Sequence, residues 1–104
     1  MSGLYRLNAG IVLFNREGKV LVCARADKPD MQWQFPQGGI DDGETPAQAA
    51  ERELREETGI ATAKMVYAAP QAVKYDYPPA VLEKFQKMGR PHIGQEQYWF
   101  LFFF

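Results

Sequence analysis

Glu53, Glu56 and Glu57 stand at spacings i, i+3 and i+4, which on a helix puts three carboxylates on one face. Like charges so placed repel one another and weaken an isolated helix. Hard anionic oxygens suit Mg²⁺ or Mn²⁺ and not zinc. A Mg²⁺ ion held by few carboxylates keeps coordination positions for water and for phosphate oxygens. Arg52, four residues before Glu56, is placed to orient that carboxylate. An acidic helix face by itself is most often a solvated surface, so the elements around it decide its meaning.

A helix is expected over residues 46–58. Thr45 is a good N-cap, because its hydroxyl accepts from free N–H groups of the first turn. Pro46 fits the first helical position, and Gln48 completes a capping box with Thr45. No further Gly or Pro interrupts the segment before Gly59, which is placed to end the helix in a left-handed turn. Ala47, Ala50 and Leu54 form an apolar stripe beside the acidic face, so that face borders packed structure. Upstream lies Trp33-Gln34-Phe35-Pro36-Gln37-Gly38-Gly39-Ile40. Its paired glycines let backbone approach a ligand closely, and a carbonyl of Gly38 or Gly39 is a candidate further metal ligand. Trp33 and Phe35 are expected in the core.

These residues together resemble the Nudix family. Gly38, Glu44, Arg52-Glu53-Leu54, Glu56-Glu57 and Gly59-Ile60 match the Nudix box at every specified position. Tyr5-Arg6, Trp33 to Gly39, Tyr75 to Pro79 and Gly94 to Phe100 are similar to the RNA pyrophosphohydrolase and dinucleoside polyphosphate (Ap4A) hydrolase subgroup. The resemblance implies an α/β fold, a mixed β-sheet with helices on its faces. It implies hydrolysis of a phosphoanhydride bond in a nucleoside polyphosphate, with Mg²⁺ (or Mn²⁺) as cofactor. The substrate would be a dinucleoside tetraphosphate or the 5′-triphosphate end of an RNA. The metal ligands implied are Gly38, Glu53, Glu56 and Glu57. The catalytic residues are Glu53, Glu57 and Arg52, with Glu53 either ligand or base. Arg6, Arg25, Gln37, Tyr75, Tyr77 and Gln95 are the candidate substrate contacts.

The chain has 104 residues and a formal net charge of −1, a length that bounds it to one domain, residues 1–104. Near-neutral charge speaks against a broad nucleic-acid surface and against DNA. Cys23 is the only cysteine, so no internal disulfide forms and nothing points to an oxidising compartment. Cys23 itself reads as a small buried hydrophobe. With no long apolar run after a basic start, neither a leader nor a membrane span is expected, and a cytoplasmic location follows.

In order along the chain, Leu4 to Phe14 reads as a strand, its apolar run typical of burial on both faces. A turn follows at Asn15 to Gly18, then a hairpin partner over Lys19 to Ala24. Strands are expected around Lys64 to Ala69 and Val73 to Tyr77, the latter at an edge beside Pro78-Pro79. Ala80 to Met88 is an amphipathic helix, with Val81, Leu82, Phe85 and Met88 at helical spacing and Gly89 as its stop. His92 reads as a surface residue. Gly94 to Phe104 is a strand that places Gln95 and Gln97 on one face.

The sequence stops inside an apolar run, where the family resemblance implies a further C-terminal segment. An exposed Phe102-Phe103-Phe104 edge is expected to pair with another chain. Two readings from other classes follow. One is a nucleotide- or RNA-binding module without turnover. The other is an interaction protein, or homo-oligomer, that pairs through its C-terminal strand.

Overall fold

A computed structural model describes residues 4–24 and 33–104 of the chain. Arg25, one of the expected substrate contacts, lies outside the described residues.

Two ten-residue strands form the centre. β1 (Tyr5–Phe14) and β7 (Gly94–Phe103) run parallel, in register from Tyr5 opposite Gly94 to Phe14 opposite Phe103. Side chains alternate across a strand, so Ala9, Ile11 and Leu13 share one face with Phe100 and Phe102, all of them buried. Arg6, Asn8, Gly10 and Val12 share the other face with Gln95, Gln97, Trp99 and Leu101. On the outer side of β1 lies β4 (Gln37–Gly39), antiparallel, with Gly39 opposite Asn8 and Gln37 opposite Gly10. On the far side of β7 lie two antiparallel strands, β5 (Lys64–Ala68) along one half and β6 (Val73–Asp76) along the other. The sheet order is β4-β1-β7-β5, with β6 also on β7.

β7 therefore has neighbours on both sides along its length, and Phe102 is 1% exposed in the core. This overturns the expected open C-terminal edge. An apolar run at the end of a sequence can equally be the central strand of a sheet, because both of its faces and both of its edges are then covered.

The hairpin partner expected over Lys19 to Ala24 is also much shorter. Asn15 folds the turn, its side chain accepting from the N–H groups of Glu17 and Lys19. Beyond it there is only a bridge between Phe14 and Val20. β1 already gives one side to β7 and the other to β4, so little of it is left to pair. The chain then forms β2 (Cys23–Ala24), which joins β3 (Trp33–Gln34) in a separate two-stranded ribbon. That ribbon leaves Trp33 62% exposed, against the expectation of a core tryptophan. Phe35 does pack, edge-on against Trp99 with ring centroids 6.1 Å apart.

α1 (Pro46–Thr58) has the expected bounds and caps. The Thr45 hydroxyl accepts from the Gln48 N–H, the Gln48 side chain accepts from the Thr45 N–H, and Gly59 closes the helix at φ 76°. Ala49, Ala50 and Leu54 pack on the Ala9–Ile11–Leu13 face to complete the core. Burying each large apolar side chain there contributes about 1.5–3 kcal/mol. α2 (Pro79–Lys87) is shorter and keeps no residue fully buried. Phe85 meets Tyr77 edge-on at 4.9 Å, with the Arg90 guanidinium over it. Met88, at the end of its expected apolar stripe, is 56% exposed. No described helix is long and apolar enough to cross a membrane.

Candidate active site

The acidic site is built where α1 crosses the edge strand β4. The bonds Ile11 N–H to Pro36 and Ile40 N–H to Leu7 bracket the β1–β4 ladder. In an antiparallel pair, residues that exchange both hydrogen bonds recur at every second position. Ala9 and Gly38 therefore face each other with their N–H and C=O groups, and the peptide groups of Gln37 and Gly39 point outward, toward α1. The Gly39 carbonyl accepts from Arg52 Nη2 at 2.9 Å. The Gln37 N–H is directed at the Glu57 carboxylate and favours its ionised form.

Gly38, expected to offer its carbonyl to a metal, thus spends it on β1. The outward carbonyl beside the glutamates is that of Gln37. Gly38 contributes space instead, since a Cβ there would collide with the Glu53 carboxylate. The glycine is the gap in which Glu53 lies.

Arg52 organises the acids. Its Nε donates to Glu44 Oε2 at 2.7 Å and its Nη2 to Glu44 Oε1 at 2.9 Å, a bidentate fork. Its Nη1 donates to Glu53 at 2.7 Å and to Glu56 at 2.9 Å. The expected Arg52–Glu56 pair is present, but Glu56 is 55% exposed at its side chain, whereas Glu44 is 16% and Glu53 15%. Half-exposed pairs contribute little, so the Glu44 and Glu53 contacts dominate. Glu44 is held in turn by a tight loop, in which its carboxylate accepts from the Asp41 N–H. The Arg52 hydrogen bonds, followed by the Asp41 N–H, depress the Glu44 carboxyl from 4.5 to about 2. The same contacts push the Arg52 guanidinium further up.

Among the described residues, Glu57 has no such cation. Burial, followed by the charges of Glu53 and Glu56, raises its carboxyl above the ordinary range, against the opposing Gln37 N–H. Among the described residues no three acidic, imidazole or thiol groups already converge on one point. The donor set nevertheless fits a hard divalent cation: Glu53, Glu56 and Glu57 lie on one face beside the outward Gln37 carbonyl, and their charges raise the proton affinity of the acid that Arg52 leaves unpaired. A cation there relieves that repulsion.

The expected substrate contacts lie on the other side of β4. Gly39 faces away from α1, and a Cβ on it would be 2.7 Å from Arg6 Nη2. The Arg6 guanidinium therefore lies over Gly39, on the face opposite the acids. Along this face the Gln97 amide donates to Gln37 Oε1 at 3.1 Å, and the Tyr75 hydroxyl donates to Gln95 Oε1 at 3.0 Å. Tyr75 is 42% exposed, while Tyr77 is half-buried between Tyr75 and Phe85. Arg6, Gln37, Tyr75 and Gln95 are thus gathered. Tyr77 backs Tyr75, and its ring packs against Phe85.

Three parts of this were not legible from residue types and spacing. Glu44 stood out only as a motif position, although it is the main partner of Arg52. Gln37 drew notice for its side chain, whereas its backbone faces the acids. Asn8, 2% exposed, was hidden in the strand, and its one signal was a polar residue beside an apolar run.

Comparisons with known proteins bear on the family and the fold. The description "NUDIX domain" matches residues 4–104. An RNA pyrophosphohydrolase of Acidiphilium cryptum (strain JF-5) is 50% identical over 99 residues, covering 92% of this chain and 58% of that protein. Nudix hydrolase 26, chloroplastic, of Arabidopsis thaliana is 47% identical over 98 residues, covering 93% of this chain and 45% of that protein. Among solved structures, the E. coli dihydroneopterin triphosphate pyrophosphohydrolase superposes with a TM-score of 0.77 at 23% identity, over 97% of this chain and 70% of that one. The C. elegans Ap4A hydrolase gives 0.63 at 22%, over 95% and 67%. Those two likenesses speak for the fold. The chain spans roughly half the length of the curated relatives it matches, 45% and 58% of these two.

Proposed function

We propose, from the premise that this chain belongs to the Nudix domain family, that it hydrolyses a phosphoanhydride bond in a nucleoside polyphosphate. The observation that carries the reading is the Arg52 fork, which ties Glu44, Glu53, Glu56 and the Gly39 carbonyl together and does not reach Glu57 beside them. Like charges at Glu53, Glu56 and Glu57 weaken a helix, and a bound cation would relieve the repulsion that Arg52 leaves at Glu57.

Nudix hydrolases generally use divalent metal ions, and here Mg²⁺ is the proposed one. Glu53, Glu56, Glu57 and the Gln37 carbonyl would hold it, and it would neutralise phosphate charge and make a bound water more acidic. Arg52 keeps Glu53 aligned, and Glu44 keeps Arg52 aligned. Glu53 and Glu57 are the two candidate proton acceptors. Glu53 is already tied to Arg52 by a hydrogen bond, whereas burial, followed by the charges of Glu53 and Glu56, raises the proton affinity of Glu57. On the opposite face Arg6 would meet phosphate, and Tyr75, Gln95 and Gln37 would line the nucleoside. The polyphosphate would then pass around the edge strand β4 from one face to the other.

The proposed substrates are an RNA 5′-triphosphate end and a dinucleoside tetraphosphate, in keeping with the names of the relatives. A cytoplasmic location goes with either. The test offers diadenosine tetraphosphate and a 5′-triphosphorylated RNA to the chain, with and without Mg²⁺. Turnover is expected only with metal, and Glu57→Gln is expected to lower kcat at least 100-fold. Metal-independent turnover, or full activity in the variant, would sink the reading. Folded protein that binds nucleotide without turnover would favour the binding module.

A further inference from the structure

The floor of the face opposite α1 holds a polar atom without a partner. Asn8 is 2% exposed, and among the described residues its Oδ1 accepts no hydrogen bond. A buried carboxamide oxygen in this state is costly, and native structures rarely keep one. It lies at the middle of the sheet, between Gly39 on β4 and Gln97 on β7.

Two glycines shape its surroundings. A Cβ on Gly10, two residues along on the same face, would lie 2.5 Å from the Trp99 indole, so the indole lies flat over Gly10. The Arg6 guanidinium lies over Gly39 in the same way. Asn8 therefore sits between a flat aromatic wall and a long-armed cation that can reach phosphate. The neighbouring amides are committed elsewhere, Gln97 to Gln37 and Gln37 to Gln34.

We propose that Asn8 is a specificity-determining residue, whose Oδ1 accepts a hydrogen bond from an N–H or O–H donor on the nucleoside end of the substrate. This rests on the hydrolase reading for the identity of the ligand as a nucleoside polyphosphate. Withdrawal of the Arg6 guanidinium toward phosphate uncovers the oxygen, so that phosphate binding and nucleoside reading are coupled. Two donors share this chemistry, a sugar hydroxyl and a base N–H, and the probes separate them.

Calorimetric binding is measured, without metal, for adenosine triphosphate, its 2′,3′-dideoxy analogue, purine riboside triphosphate and inorganic tripolyphosphate. The wild-type chain is expected to bind one of the two analogues about tenfold more weakly than adenosine triphosphate, since one hydrogen bond to a buried acceptor is lost. Weakening with the dideoxy compound assigns the sugar, and weakening with purine riboside assigns the base amino group. Asn8→Leu is expected to bind all three nucleotides alike and tripolyphosphate as the wild type does. Its melting temperature is expected to be no lower, because the orphaned oxygen is gone. If Asn8→Leu fails to fold, Asn8→Ala removes the same oxygen and makes the same comparison.

Equal binding of all three nucleotides by the wild type, or discrimination retained without Asn8, overturns the proposal. Discrimination by a chain that turns over no polyphosphate overturns the hydrolase reading and leaves this inference standing. A chain that binds neither adenosine triphosphate nor tripolyphosphate overturns both.

Discussion

At the scale of residues, the site turns on one guanidinium with four hydrogen-bond partners. Arg52 is planar and its donors are fixed in direction, so it holds Glu44 in a fork while also reaching Glu53, Glu56 and the Gly39 carbonyl. A lysine offers the same charge at a single point. Arg52→Lys is therefore expected to lower kcat/KM about tenfold to a hundredfold with the fold retained, measured by steady-state hydrolysis and circular dichroism. Wild-type kinetics in that variant would show that charge alone suffices. The spacing of Arg52 and Glu56 was legible, since four residues apart is one helical turn. The stronger tie to Glu44 was not, because it depends on how the Asp41–Glu44 loop folds back over the helix.

At the scale of elements, α1 was the most legible part of the chain. Its cap, its proline and its closing glycine all act within one turn, and local chemistry alone decides such features. Gly59 holds φ at 76°, where a residue with a Cβ is strained. Gly59→Ala is expected to cost about 1 kcal/mol, or about 5 °C in melting temperature for a domain this small. A thermal melt checks this, and an unchanged Tm would mean that the helix end relaxes freely. The short ribbon of β2 and β3 was much less legible. Whether a segment after a turn pairs with its predecessor depends on whether that strand has an edge left, and β1 gives its sides to β4 and β7.

At the scale of the whole molecule, the two halves of the proposed chemistry lie on opposite faces of one sheet. The acids stand with α1 on one face, while Arg6, Tyr75 and Gln95 stand on the other, and β4 is the narrow wall between them. Stability should follow the ties on the acidic side of that wall. The Glu44 carboxyl is depressed from 4.5 to about 2. A carboxyl with a depressed folded-state pKa contributes stability that is present above 4.5 and lost as pH falls toward about 2. Denaturant unfolding between about pH 6 and about pH 2.5 is expected to show a loss through that window, and Glu44→Gln is expected to lessen it. A variant whose stability falls as steeply as the wild type would place the acid-sensitive groups elsewhere.

By itself the sequence determined the acidic helix, its boundaries and the family, because these rest on spacing, capping and residue type within a short span. It also singled out Glu53, Glu56 and Glu57 as candidate cation ligands. Only the tertiary structure decided which strand is central and which peptide groups of β4 turn outward. The Phe102 run lies in mid-sheet and Gly38 gives its carbonyl to β1, because pairing is settled by distant neighbours that alternation alone does not name. The orphaned oxygen of Asn8 belongs to the same class. Its meaning comes from what Trp99, Arg6 and two glycines bring around it, and that is a property of the folded sheet.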